Sequence, residues 1–166
     1  MSHFQNPAAW REAIRLIDEA IESNSTHLSL SNLRLKTIPE NIYKIAPKLV
    51  SLDLSSCDQL FSFAFLKKCS LLTTLNLSRN KVLTELNFLS ALKQLQRLDL
   101  RGCQALTSLD GARELEQLET LNLSCCDGLL SLDGLSGLKQ LQKLNLTGCE
   151  ALTNLDALGD LKQLQS

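Results

Sequence analysis

The sequence predicts an α/β solenoid: a right-handed coil with a parallel sheet on its concave side, short 3₁₀ or extended segments on its convex side, and an N-terminal helical cap. Three observations carry that expectation. The frame L-x-x-L-x-L-x-x-C-x-x-L, clearest from Leu118 to Leu129, begins at Leu49, Leu72, Leu95, Leu118, Leu141 and Leu164, each 23 residues after the last. Beyond the Cys position, leucine-class residues recur every three positions, as in Leu129, Leu132, Leu135 and Leu138. Ahead of the first copy, one amphipathic stretch has helical spacing. A repeat of this length is one supersecondary unit that buries its apolar side only by stacking on its neighbours.

The chain divides into a capping helix over 1–24 and a repeat array over 25–166. Asn6-Pro7 supplies an N-cap and a proline at the first helical position. Trp10, Ala13, Ile14, Ile17, Ala20 and Ile21 then form one apolar stripe. The opposite face, with Glu12, Asp18, Glu19 and Glu22, is acid-rich rather than basic, which argues for closing the end of the array over lying on a membrane. Met1–Gln5 is expected to be loose. Thr26–Ile42 is a degenerate first copy, in which Leu28 and Leu30 match the strand leucines and Leu33 takes the Cys slot.

In the regular copies, residues such as 51–55 are expected to form one strand with Leu52 and Leu54 inward. Period three on the return path fits 3₁₀ or extended backbone better than α-helix. Cys57, Cys103, Cys126 and Cys149 share one position with Asn80, where a buried donor can satisfy turn carbonyls. Cys69 fills a core position held elsewhere by Leu92, Leu115, Leu138 and Leu161. Only Cys125 falls outside the core frame; Gly102 and Gly148 occupy its place in neighbouring copies. Six thiols so placed are not a disulfide framework, and they suit a reducing compartment. Met1–Trp10 lacks the charged and apolar regions of a signal peptide. The expected location is the cytoplasm: a bacterial cytosol, or a host cytosol if the protein is a secreted effector.

These repeats resemble the short class of leucine-rich repeats, as in bacterial internalins and the phosphatase-regulator family. The stretch Leu144–Leu152 also looks like plant resistance-receptor repeats, and Glu12–Ile42 resembles the opening of bacterial leucine-rich-repeat proteins. In that last group the segment often precedes a regulatory or effector domain. The resemblance implies a solenoid and a protein-binding role, and says little about the partner.

Catalysis finds no foothold. His3 and His27 belong to no Cys/His/Asp arrangement, no phosphate-binding glycine loop is present, and Cys125-Cys126 is not a C-x-x-C motif. No cofactor, metal or small-molecule substrate is expected. A net charge of −1, from 18 acidic and 17 basic residues, argues against nucleic acid. No apolar run reaches membrane-spanning length.

The candidate site is therefore the outward face of the strands, with a protein as partner. Asp53, Asn76, Asp99, Asn122 and Asn145 form a hydrogen-bonding ladder at mid-strand, with too few carboxylates for calcium. One flanking column is Ser51, Thr74, Arg97, Thr120 and Lys143; the other is Ser55, Ser78, Arg101, Ser124 and Thr147. Arg97, Asp99 and Arg101 fall in one strand, and arginine forks favour partner carboxylates. A second ladder, Asn87, Asp110, Asp133 and Asp156, reads as structural, with its side chains bonding local backbone donors. On the convex side, Phe65 and Phe88 share a repeat position and are expected to stack, with Phe61 nearby.

The function expected is a non-catalytic protein-binding module, possible roles being a bacterial effector or effector regulator. An alternative is the regulatory region of a larger enzyme of GTPase or ubiquitin-ligase type. A third is self-association through an open C-terminal end, since the frame runs on to Ser166 without a polar-faced cap.

Overall fold

The computed structural model describes residues 6–165; the expectation of a loose Met1–Gln5, His3 included, lies outside them. Helix α1, Pro7–Glu22, leads into six three-residue strands: β1 His27–Ser29, β2 Ser51–Asp53, β3 Thr74–Asn76, β4 Arg97–Asp99, β5 Thr120–Asn122 and β6 Lys143–Asn145. They form one parallel sheet in sequence order. A short helix α2, Ile42–Ile45, and 3₁₀ turns such as Ala64–Lys68, Asn87–Ala91 and Asp110–Ala112 make the return path.

Helix α1 starts where its cap chemistry dictates. The Asn6 side chain accepts from the Ala8 and Ala9 N–H groups at 3.1 and 3.4 Å, and Pro7 needs no partner for a missing N–H. The helix packs on β1 and α2, burying Ala9, Ala13, Ile17 and Ala20, while Trp10, Ile14 and Ile21 are half-buried. Asn41 ties it to the first copy, donating to Asp18 Oδ1 at 2.8 Å.

Successive strands keep a fixed register: Leu52 pairs with Leu75, Leu75 with Leu98, Leu98 with Leu121 and Leu121 with Leu144. Inward leucines therefore stack into a continuous apolar spine, with Leu54, Leu77, Leu100 and Leu123 fully buried. The return path shows why the sequence period is three. The Leu106 N–H donates to Cys103 O, Ala112 to Leu109, Leu115 to Ala112 and Leu118 to Leu115, each at 2.8–3.1 Å. Most apolar residues of the return path thus donate one 3₁₀-type bond to the apolar residue before them. In the last copy described, Leu144, Leu146, Leu152 and Leu158 are half-buried and Leu155 is 54% exposed.

The strands are shorter than the five residues expected. The ladder continues through the Leu54 N–H, which donates to Asn76 O at 2.8 Å. The next donor, Ser55 N–H, goes to Asp53 Oδ1 at 2.8 Å and turns the chain. An Asx turn therefore closes each of β2 to β6 at its last residue, Asp or Asn, whereas β1 ends in Ser29.

The convex aromatics also differ from expectation. Phe88 stacks on Phe63 of the preceding copy, with ring centroids 4.3 Å apart and planes 17° off parallel, rather than on Phe65. Phe65 instead lines a small cavity with Ile42 and Tyr43. The stacked pair thus joins two different repeat positions of neighbouring copies. Phe63, standing where later copies have Leu86, Leu109 and Leu132, is the ring large enough to receive Phe88.

Candidate functional site

The face opposite the leucine spine is built by alternation along three-residue strands. Register places Asp53, Asn76, Asp99, Asn122 and Asn145 in one row. A second row runs Ser51, Thr74, Arg97, Thr120 and Lys143, so Thr120 lies between Arg97 and Lys143. Eight of the nine residues expected at the site thus share one face, and Arg101 follows two residues after the end of β4. Arg97, Arg101, Lys143 and Asn145 are exposed; Asp53, Asn76, Asp99, Thr120 and Asn122 are half-buried.

The Asp/Asn row has a structural duty that its spacing did not reveal. Each Oδ1 accepts the backbone N–H two residues on: Ser55 at 2.8 Å, Ser78 at 2.9 Å, Arg101 at 2.9 Å, Ser124 at 3.1 Å and Thr147 at 3.0 Å. One oxygen of every member is committed to the turn. The other carboxylate oxygen or the amide nitrogen is what a partner would meet. The third column is also less uniform than expected. Ser78 and Ser124 are each 7% exposed, and Ser124 Oγ folds back onto Asn122 Oδ1 at 2.9 Å. Arg101 stands exposed between these two buried serines.

Electrostatically, the face is unpaired. Among the described residues the ion pairs are Arg15 with Glu12 and Glu19, Lys93 with Glu114, and Arg113 with Asp110, all elsewhere. Asp99 lies between Arg97 and Arg101 in sequence, yet its Oδ1 takes the Arg101 N–H and it pairs with neither guanidinium.

One residue of this surface was missed. Arg79 is exposed, and its N–H donates to Arg101 O at 2.6 Å. Its backbone has φ +62°, in a column with Ser56 (+55°), Gly102 (+71°), Cys125 (+57°) and Gly148 (+75°). The left-handed conformation disfavours side chains. The two glycines were the available signal that this column leaves the strand. A Cβ added to Gly102 would lie 3.7 Å from Arg79 Cγ, so the arginine stem runs beside that glycine.

Behind the turns sits the thiol column. Cys57, Cys103, Cys126 and Cys149 direct Sγ at Leu30, Leu77, Leu100 and Leu123 carbonyls at 3.1–3.2 Å. Asn80 in the same column donates through Nδ2 to Leu54 O at 3.0 Å and Leu77 O at 2.7 Å. Burial pushes the Cys69, Cys103 and Cys126 thiols up to about 12 and Cys57 to about 11. Cys149 is pushed up too, by the same cause. These are inert packing groups, whereas Cys125 is exposed.

The second acidic ladder works differently from expectation. Backbone N–H groups of Asp110, Asp133 and Asp156 donate to the side chains of Ser108, Ser131 and Asn154 at 3.1, 3.0 and 2.6 Å. The residue two places earlier makes the turn. The Asp110 carboxyl is held below its usual range by the Ser108 hydroxyl and the Arg113 guanidinium. No group of three or more His, Cys, Asp or Glu among the described residues is placed to hold a metal ion. No described helix is long and apolar enough to cross a membrane.

No protein-family model matches the chain, and no curated protein matches it by sequence. Solved structures do. An internalin, InlF, from Listeria monocytogenes superposes with a TM-score of 0.77 at 20% identity, over 96% of this chain and 48% of that one. Internalin C2 from the same organism gives 0.73 at 24% identity, over 95% and 71%. The leucine-rich repeat domain of the type III effector XopL gives 0.66 at 20% identity, over 90% and 64%. The chain thus spans about half the length of the InlF structure. Its 23-residue frame, its six-stranded parallel sheet and these superpositions agree: the chain has the leucine-rich repeat fold, an α/β solenoid.

Proposed function

We propose that the chain is a non-catalytic protein-binding module that presents its strand face rigidly to another protein. The observation that carries this reading is β4 and the residue two beyond it, where Arg97 and Arg101 stand exposed and without ion-pair partners among the described residues. Arginine is favoured at interface hot spots, and register sets Thr120, Asn122, Lys143 and Asn145 beside it as further contacts. The setting we propose is a bacterial cytosol, or a host cytosol reached by secretion, with the module acting as an effector or as its regulator. Leucine-rich repeats occur in a type III effector among the fold neighbours, which supports that setting.

The test uses a partner captured on the intact chain and measured by calorimetry. Arg97→Glu with Arg101→Glu is expected to weaken binding by about 2 kcal/mol or more, the loss typical of hot spots. An unchanged dissociation constant removes the strand face from the mechanism. A second reading, the regulatory region of a larger GTPase-type or ubiquitin-ligase-type enzyme, draws on the chain spanning 48% of the InlF structure. Coding sequence continuing past Ser166 into a catalytic domain would favour it.

A further inference from the structure

We propose that the strand face takes an acidic, extended segment of its protein partner, with carboxylates spaced to meet Arg97 and Arg101 around a hydrogen-bond donor facing Asp99. This rests on the strand face being the binding surface and adds the chemistry of the occupant.

Charge complementarity argues for it. The outward columns carry Arg79, Arg97, Arg101 and Lys143 against Asp53 and Asp99. That is a local cationic excess on a chain whose net charge is −1. None of the four cations is in an ion pair among the described residues. The described ion pairs lie elsewhere: Arg15 takes two glutamates, Lys93 reaches from one copy to Glu114 in the next, and Arg113 holds Asp110.

Spacing narrows the occupant. Arg97 and Asp99 alternate along β4 at about 3.3 Å per residue, and Arg101 opens the turn that the Cys103 N–H closes on Leu100 O, so the two arginine Cα atoms lie at most about 13 Å apart. A peptide in extended conformation reproduces that span with acidic residues at i and i+4, and its residue i+2 then faces Asp99. A donor such as lysine at i+2 meets the carboxylate oxygen that the Asx turn leaves unused.

Two carboxylates on the same face disfavour a polyphosphate or a nucleic acid, whose denser charge would meet Asp53 and Asp99 at close range. Arg79 extends the cationic edge beside Arg101, to which its backbone is bonded at 2.6 Å. It does so from a left-handed backbone that two other copies fill with glycine. Such a backbone disfavours a side chain by about 1 kcal/mol or more.

The experiment titrates isotope-labelled intact protein, followed by amide chemical shifts, with a Gly/Ser peptide carrying two glutamates four residues apart and a lysine midway. Shifts are expected within 74–79 and 97–101, weakening as salt rises. Arg97→Gln with Arg101→Gln should reduce affinity at least about tenfold. Arg79→Gly should reduce it about threefold while raising the melting temperature by about 2 °C, because it relieves the left-handed backbone. A purely structural arginine would not give weaker binding together with higher stability.

Three results would overturn the proposal: no shifts at millimolar peptide, equal binding by a peptide with its glutamates adjacent, or tighter binding by a single-stranded oligonucleotide. If the peptide fails while charge reversal at Arg97 and Arg101 still weakens the captured partner, the strand face stands and only the acidic occupant falls.

Discussion

Asn80 shows how much one side chain carries in a fold whose turns are buried. It is 2% exposed and gives both amide hydrogens to carbonyls of two adjacent copies, while its Oδ1 has no partner among the described residues. Removing the donors strands the Leu54 carbonyl, leaves Leu77 O with the Cys103 thiol alone and opens a void, so Asn80→Ala should cost about 2–3 kcal/mol. Asn80→Cys restores the residue type of the other four copies, keeps one donor and removes the orphaned oxygen. Its cost should stay within about 1 kcal/mol of wild type. Urea unfolding of the pair checks both values.

The thiols make a second test at the same scale. Their folded pKa values lie above those of unfolded cysteine, so the native state holds these protons more tightly. That contribution is complete below the unfolded value, near 8.5. It is lost as pH climbs toward the folded values of about 11 to 12. Thermal melts should therefore fall progressively above about pH 9. Iodoacetamide at pH 8 should label Cys125 first, and mass spectrometry showing Cys103 or Cys126 labelled as fast would contradict their burial.

At the scale of an element, the 3₁₀ turns are where the copies diverge. One repeat position is filled by Phe65, Phe88, Gly111, Gly134 and Ala157 in succession. A Cβ at Gly111 would lie 2.2 Å from the Leu86 carbonyl carbon, and one at Gly134 would lie 2.3 Å from Leu109 O. Backbone meets backbone there, so Gly111→Ala has no flexible atom to displace. A cost of about 1–3 kcal/mol is expected, read from chemical denaturation. Outside the stacked Phe63 and Phe88 rings the two turns leave an open surface cleft. A cavity of about 500 Å³ lies there, lined by Phe61 and Val82, which are 67% and 59% exposed. Period three was visible in the leucines, because most apolar residues of the return path donate to the one before them. The stacking of Phe88 on Phe63 was not visible, because repeat position says which residues are equivalent and not which way a ring leans.

Across the whole molecule, stability is local along the solenoid axis. Each copy touches its neighbours and little else, so damage at one end should not spread evenly. Ile17 is fully buried between α1 and the first copy. Ile17→Asp places a carboxylate in an apolar site and should cost on the order of 3–5 kcal/mol. Hydrogen exchange should quicken in β1 and β2 and stay slow in β4 and β5. Uniform loss of protection would show instead that the array unfolds as one unit.

Period, inward leucines and the capping stripe were legible in the amino-acid order, because repetition at 23 residues and apolar spacing follow directly from how stacked turns bury their apolar side. The composition of the strand face was equally legible, since alternation sends known residues outward. Three dimensions settled the rest. The Asp/Asn row looked like free hydrogen-bonding groups, yet each member closes its own strand through Oδ1. Arg79 joined the surface only once its left-handed backbone and its bond to Arg101 were seen. Hydrogen bonds between copies and backbone handedness depend on distances across the stack, and residue spacing along a chain does not encode those.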